Sequence, residues 1–177
     1  MLHSEAIALI KEGVPPGHLP QVWADLGCGK GTFTLALAEL LSRGSLIHAV
    51  DTDSQSLESI PVQYEEVSIK KWETDFTKDY LPFDEINGLL MANSLHFVAE
   101  KEAFLKKLTR YFLTGQRLLI IEYDTDRSNT WVPYPLSFTA LETLCRQAGF
   151  PLPQLLSTQR SRYHQAGMYA ALILDNG

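Results

Sequence analysis

Val22-Trp23-Ala24-Asp25-Leu26-Gly27-Cys28-Gly29-Lys30-Gly31-Thr32 runs from apolar residues through a glycine-rich turn into helix-forming sequence. Residues 22–26 read as a short buried strand. Glycines at alternate positions can take backbone angles that a Cβ forbids, and they let a ligand come close to the backbone. A strand feeding such a turn and then a helix is the first unit of a nucleotide-binding α/β fold. A dinucleotide site wants G-x-G-x-x-G/A, and Thr32 stands where the third small residue belongs. A phosphate-binding loop wants Gly-Lys-Ser/Thr, and Lys30 lies instead between Gly29 and Gly31. Asp25, at the entrance to the turn, would repel a pyrophosphate on the helix N-terminus and would suit a ligand carrying positive charge. A plain strand, turn and helix without a ligand is the alternative.

Downstream of the turn, residues 31–43 read as a helix. Phe33, Ala36, Leu37, Leu40 and Leu41 make one apolar stripe, and Gly44 is the stop. Residues 45–50 form a second buried strand ending in Asp51-Thr52-Asp53. An acid about 20 positions beyond a glycine turn, at the tip of the second strand, can accept from both ribose hydroxyls. That role falls to Asp51, with Asp53 placed to cap the next short helix, residues 54–60. Val67 and Ile69 alternate with polar residues in a half-exposed third strand. Residues 83–93 hold the fourth strand and its approach, with Asn93-Ser94-Leu95-His96-Phe97 at the tip. Ligands of open α/β sheets lie outside the carboxyl ends of the strands. Asn93 is therefore a cofactor neighbour, and His96 is the titratable group best placed for substrate. A structural histidine at a strand end is the other reading of His96.

A helix over 99–112, a fifth strand over 117–123 and a capped helix from Ser137 follow. Residues 152–160 and 165–174 read as two strands of an antiparallel hairpin. The loop 124–136 leaves the same sheet edge as the glycine turn. Trp131 and Tyr134 within it either wall a substrate pocket or pin the loop to the core. Upstream, residues 4–12 suggest a helix capped by Ser4, followed by a Pro/Gly-rich break.

The bulk numbers narrow the classes. A chain of 177 residues favours one domain, 1–177, with room for a core. The net charge of -6 does not favour broad capture of nucleic acid. Two cysteines, Cys28 and Cys145, cannot make a zinc site alone, so no metal is expected, and free thiols fit a cytoplasmic setting. No apolar run approaches the roughly 20 residues of a membrane helix, and residues 1–20 lack the basic start of a signal peptide. Oligomeric state is not legible.

Asp25-Leu26-Gly27-Cys28-Gly29-Lys30-Gly31 resembles motif I of the class I S-adenosylmethionine-dependent methyltransferases. The resemblance spans nearly the whole chain, as five strand–helix steps and a hairpin. It implies a three-layer Rossmann-like α/β sandwich. Its seven-stranded, mostly parallel sheet would have the order 3-2-1-4-5-7-6, strand 7 antiparallel. The cofactor implied is S-adenosyl-L-methionine. Asp25 would help to hold its methionine end, and Gly27, Cys28, Gly29 and Gly31 would let it lie across the strand tips. Asp51 would take the ribose, with Thr52 and Asp53 lining the adenine pocket. Asp75 would accept from the adenine N6 amine, and the Phe76 N–H would donate to a ring nitrogen. Segments such as 1–20 often fold over the cofactor in that family, although a simple packing helix is equally consistent.

The tip Ala92-Asn93-Ser94-Leu95-His96 is similar to that of small-molecule methyltransferases and lacks the [Asn/Asp]-Pro-Pro-[Tyr/Phe] of enzymes that methylate bases. The implied reaction is in-line displacement on the sulfonium methyl. Alignment of the reactants supplies much of its rate, and no obvious catalytic set is required. His96 is the candidate base. Tyr123, Tyr134 and His164 are weaker ones. His96, Tyr123, Trp131 and Tyr134 are the expected substrate-lining residues of a small, partly apolar site. A macromolecular acceptor and a non-catalytic cofactor-binding module are the competing functions.

Overall fold

The computed structural model describes residues 1–113, 115–159 and 167–175. Its helices are α1 (His3–Ile10), α2 (Thr32–Leu40), α3 (Ser54–Glu58), α4 (Lys101–Leu108) and α5 (Phe138–Ala148). Its strands are β1 (Val22–Leu26), β2 (Leu46–Asp51), β3 (Gln63–Tyr64), β4 (Val67–Glu73), β5 (Gly88–Ala92), β6 (Gln116–Tyr123), β7 (Gln154–Gln159) and β8 (Met168–Asp175). They form one sheet in the order β3-β4-β2-β1-β5-β6-β8-β7.

β4, β2, β1, β5 and β6 run parallel, and β8 is antiparallel to both β6 and β7. Without the two-residue β3, this is the expected seven-strand order. β3 is the addition. It pairs antiparallel with β4 and covers that strand's outer edge through Gln63 and Tyr64.

Two apolar cores sandwich the sheet. On one face Leu9, Ile10, Phe33, Leu37 and Ile60 pack against inward residues of β1 and β2. On the other, Phe104, Leu105, Leu108, Leu141 and Cys145 cover β5, β6 and β8. A parallel sheet needs both faces covered, which is why its strands read as continuous apolar runs.

The expectation of five strand–helix steps is corrected at one place. The connection from β4 to β5, residues 74–87, holds no helix. Leu81 and Phe83 take the helix's place in the core, and the Leu81 N–H donates to the Tyr111 hydroxyl at 3.1 Å. Phe83 stacks on His48 of β2 with ring centres 4.1 Å apart. The Trp72 indole N–H donates to His48 Nδ1 at 2.9 Å. Burial, with Lys70 nearby, lowers the His48 pKa to about 4, so the ring is neutral in the fold.

Local chemistry sets the element ends. Ser137 caps α5 by accepting from the Ala140 N–H at 3.2 Å, and Gly149 ends the helix at φ 79°. Asp53 caps α3 by accepting from the Gln55 N–H. Ser4 is not the cap of α1. The helix starts at His3, and its cap is Leu2, two residues before the expected one; the Leu2 N–H donates to the Glu5 carboxylate at 2.7 Å. α1 is a packing helix with Ala6, Leu9 and Ile10 buried. Arg117 of β6 donates to the Gly13 carbonyl at 3.1 Å and holds its far end. No helix among the described residues is long and apolar enough to cross a membrane.

Candidate cofactor cleft at the strand tips

The first strand–turn–helix unit builds the site. The Gly27 and Cys28 N–H groups both donate to the Val50 carbonyl, at 2.8 and 3.0 Å, so the turn after β1 folds over the end of β2. Gly27 sits at φ 78°, and a Cβ there would fall 2.5 Å from the Ser94 Cβ. That close approach lets the Ser94 hydroxyl donate to the Leu26 carbonyl at 2.6 Å, joining the tips of β1 and β5. Gly29, at φ 51°, is different: a Cβ built on it meets nothing within 4 Å. The space over the turn is open.

Two adjoining hollows lie along these tips, and Gly27 and Asn93 line both. The larger, about 310 Å³, is bounded by Asp51, Thr52, Asp75, Phe76 and Phe97. The other, about 270 Å³, is bounded by Asp25, Cys28, Gly29, Lys30 and Phe33, with Met1 at its edge. Together they match the size of a small-molecule cleft. Of the N-terminal segment 1–20, Met1 alone lines either hollow.

Asp25 is 1% exposed. Its Oδ2 accepts from the Thr34 hydroxyl at 2.6 Å, while its Oδ1 is buried without a partner. Burial pushes its carboxyl up to about 7, against the Thr34 hydrogen bond, and repulsion from Asp51 adds to the rise. A buried carboxylate with an idle oxygen is costly unless a donor or cation meets it. Asn93 repeats the pattern at the junction of the hollows. Its backbone is left-handed (φ 53°), and its Oδ1 is buried without a partner.

Asp51 ends β2 and builds the turn as well as lining the cleft. Its Oδ2 accepts from the Gly29 N–H at 2.7 Å and its Oδ1 from the Asp53 N–H at 3.0 Å. Each oxygen keeps a second lone pair. In Asp75, Oδ1 accepts from the Thr77 N–H and hydroxyl, at 3.0 and 2.6 Å, and Oδ2 pairs with Lys78 at 2.6 Å. The Lys78 hydrogen bond, then that of Thr77, hold its carboxyl below the usual range. Cys28 is a buried thiol. Burial first, then Asp25 and Asp51, push its pKa well up, so it is no nucleophile.

Asp53 borders neither hollow. Both of its oxygens serve the start of α3, accepting from the Gln55 N–H and the Ser56 hydroxyl. The four expected substrate-lining side chains are also absent from the lining. His96 is 3% exposed, and its Nδ1 lies 2.7 Å from the Glu122 carboxylate, which also accepts the His96 N–H at 3.0 Å. The pair lies beneath the tips of β5 and β6, and Phe97 is the neighbour that reaches the cleft. Trp131 is 83% exposed. Tyr134 pins its loop: its N–H donates to the His96 carbonyl, and its carbonyl accepts from Lys101 at 2.7 Å. The half-buried Tyr123 has its ring centre 6.4 Å from that of His96, and burial raises its pKa. His164 lies outside the described residues.

Sequence reasoning missed Ser94, Glu122 and Thr34, because each pairs with a residue of another element: Ser94 with Leu26, Glu122 with His96 and Thr34 with Asp25. Thr77 had a readable signal, a hydroxyl two residues after an aspartate in a turn-rich stretch.

Comparison with known proteins agrees with this geometry. The model of the methyltransferase domain family matches residues 24–115. A release factor glutamine methyltransferase of Thermosynechococcus vestitus is 37% identical over 65 residues, 37% of this chain and 22% of that protein. This chain therefore matches about a fifth of that curated relative's length. Two solved structures share the fold. A SAM-dependent methyltransferase from Aquifex aeolicus aligns over 98% of this chain and 99% of its own, with a TM-score of 0.64 and 17% identity. A Burkholderia thailandensis 1,6-didemethyltoxoflavin-N1-methyltransferase, with bound 1,6-didemethyltoxoflavin and S-adenosylhomocysteine, aligns over 99% of this chain and 78% of its own, with a TM-score of 0.72 and 17% identity. The sheet order, the cleft built on the glycine turn and the family match lead to one assignment: the chain belongs to the class I S-adenosylmethionine-dependent methyltransferases.

Proposed function

We propose that this chain transfers a methyl group from S-adenosylmethionine to a small-molecule acceptor. The carrying observation is that two residues lining the cleft at the strand tips, Asp25 and Asn93, each bury an oxygen, Oδ1, without a protein partner. They fit a ligand that brings a cation and further donors. When bound, S-adenosylmethionine supplies an electrophilic sulfonium methyl and a neutral leaving group. Asp25 accepts the methionine ammonium with its idle oxygen. Asp51 offers its remaining lone pairs to the ribose hydroxyls, while its other bonds keep the Gly29 turn in shape. Thr52, Asp75 and Phe76 frame the adenine end. Asn93, which lines both hollows, would lie beside the cofactor where its two ends meet.

The chain's residues then act by positioning. Holding the acceptor aligned with the methyl supplies much of the barrier reduction. The partly exposed Phe97 offers an apolar wall to the acceptor. The buried His96–Glu122 pair holds the tip that presents it. The small size of the cleft and the bound ligand of the Burkholderia protein support a small acceptor. The match to a release factor glutamine methyltransferase favours a second reading, a protein acceptor.

The test is calorimetric titration with S-adenosylmethionine, S-adenosylhomocysteine and NAD, on wild type, Asp51→Ala and Asp51→Asn. Micromolar binding of the two sulfur nucleosides, lost in both variants and absent for NAD, is expected. Binding of NAD alone overturns the reading. A screen of small acceptors and peptides, read by mass for one added methyl, separates the two acceptor classes.

A further inference from the structure

Asp75, Phe76 and Thr77, which line the larger hollow, belong to the connection between β4 and β5, where there is no helix. Without a helix's own ladder of backbone bonds, the place of that wall depends on what grips it from outside. Its residues form one compact turn. The Asp75 carbonyl accepts from the Lys78 N–H at 3.0 Å and from the Asp79 N–H at 2.8 Å. α4 holds this turn at both ends. At the front, the Phe76 ring centre lies 5.9 Å from that of Phe104. At the back, Lys107, in the last turn of α4, donates to the Asp79 carbonyl at 2.6 Å. The next residue, Tyr80, is 70% exposed, so burial contributes little to holding it. Two cations hold it instead. The Lys107 ammonium lies 4.8 Å from its ring centre, and the Arg110 guanidinium, just past the end of α4, lies 5.1 Å away. Both are within the range at which a ring face attracts a cation.

We propose that Tyr80 is a positioning residue for the adenine side of the cleft. Caught by Lys107 and Arg110, it fixes the back of the 75–79 turn against α4 and so sets where Asp75, Phe76 and Thr77 stand. Tyr80 borders neither hollow, so it acts through the turn and not by contact. The proposal rests on the cofactor reading above, in which Asp75 meets the adenine N6 amine. Its consequence is therefore selectivity for the base. S-adenosylhomocysteine carries that amine, and S-inosylhomocysteine has a carbonyl in its place.

The experiment compares the full chain as wild type, Tyr80→Leu and Tyr80→Phe. Leucine keeps an apolar side chain and loses the ring face, and phenylalanine keeps the face for both cations. In the ligand-free protein, amide hydrogen exchange over residues 75–81 is expected to quicken in Tyr80→Leu and to return to the wild-type rate in Tyr80→Phe. Equal exchange in all three overturns the clamp, whatever the ligand. Calorimetric titration with the two nucleosides follows. Failure of the wild type to bind S-adenosylhomocysteine sinks the cofactor assignment and takes the proposal with it, whereas differences among the variants bear on Tyr80 alone. Tyr80→Leu is expected to weaken S-adenosylhomocysteine about fivefold, the scale of two exposed cation–π contacts. The same variant should leave S-inosylhomocysteine unchanged, and Tyr80→Phe should restore most of the loss. Equal losses for both nucleosides, or no loss for either, make Tyr80 a residue of the fold alone and overturn the proposal.

Discussion

Asp25 stores a conflict that a ligand resolves. A carboxyl ordinarily at 3.8 and raised to about 7 in the fold favours the native state while protonated, below 3.8. That advantage disappears as pH rises through 7, where the folded protein must hold a buried charge. A shift of this size is worth about 4 kcal/mol. Asp25→Asn is therefore expected to stabilise the ligand-free protein at pH 8 by a few kcal/mol. The gain should shrink toward pH 4, and cofactor binding should be lost. Urea unfolding at the two pH values and one titration check this. A destabilised Asn variant at pH 8 would mean that the charge is already compensated. The acidic residue and the glycine turn were legible because backbone geometry and charge act locally. That Trp131, Tyr134 and His96 border neither of the two hollows was not legible. Burial of His96 depends on Glu122, 26 positions away, and no spacing rule encodes that pairing.

Among elements, the pairing of β2 with β4 carries its own acid sensitivity. His48 is buried, stacked on Phe83, and accepts from Trp72. Its pKa falls from 6.5 to about 4 in the fold, so the unfolded chain takes up the proton first. Stability contributed above pH 6.5 is lost as pH falls toward 4, by about 3 kcal/mol. His48→Leu should flatten that part of the pH–stability curve, at a cost of about 1 kcal/mol at pH 7 for the Trp72 N–H left without an acceptor. An unchanged slope would place the acid sensitivity elsewhere. The strands themselves were readable from apolar runs, and α2 and α5 from their stripes and glycine stops. The helix-free connection over 74–87 was not readable, because Leu81 and Phe83 fill the core through contacts with Tyr111 and His48.

For the whole molecule, ligand and stability are linked. S-adenosylhomocysteine at 100 times its dissociation constant should add about 2.7 kcal/mol. In a domain of this size that raises the melting temperature by roughly 5–10 °C, and Asp51→Ala should show no such rise. The sheet order was legible only through the resemblance of the glycine-turn motif and the run of elements to the methyltransferase family, which implied it. β3 is too short to leave a pattern. The position of β8 has a consequence for biosynthesis. β8 is made after β7 yet lies between β6 and β7. A nascent chain leaving the ribosome therefore carries β6, with Leu118, Leu119, Ile120 and Ile121 in a row, as a naked edge. β7 has nowhere to dock until β8 has emerged. A chain cut after residue 153 is accordingly expected to be insoluble, as uncovered apolar edges invite pairing with other chains. Release of the last strand, rather than of the nucleotide-binding half, would set the moment at which this protein becomes safe from its neighbours.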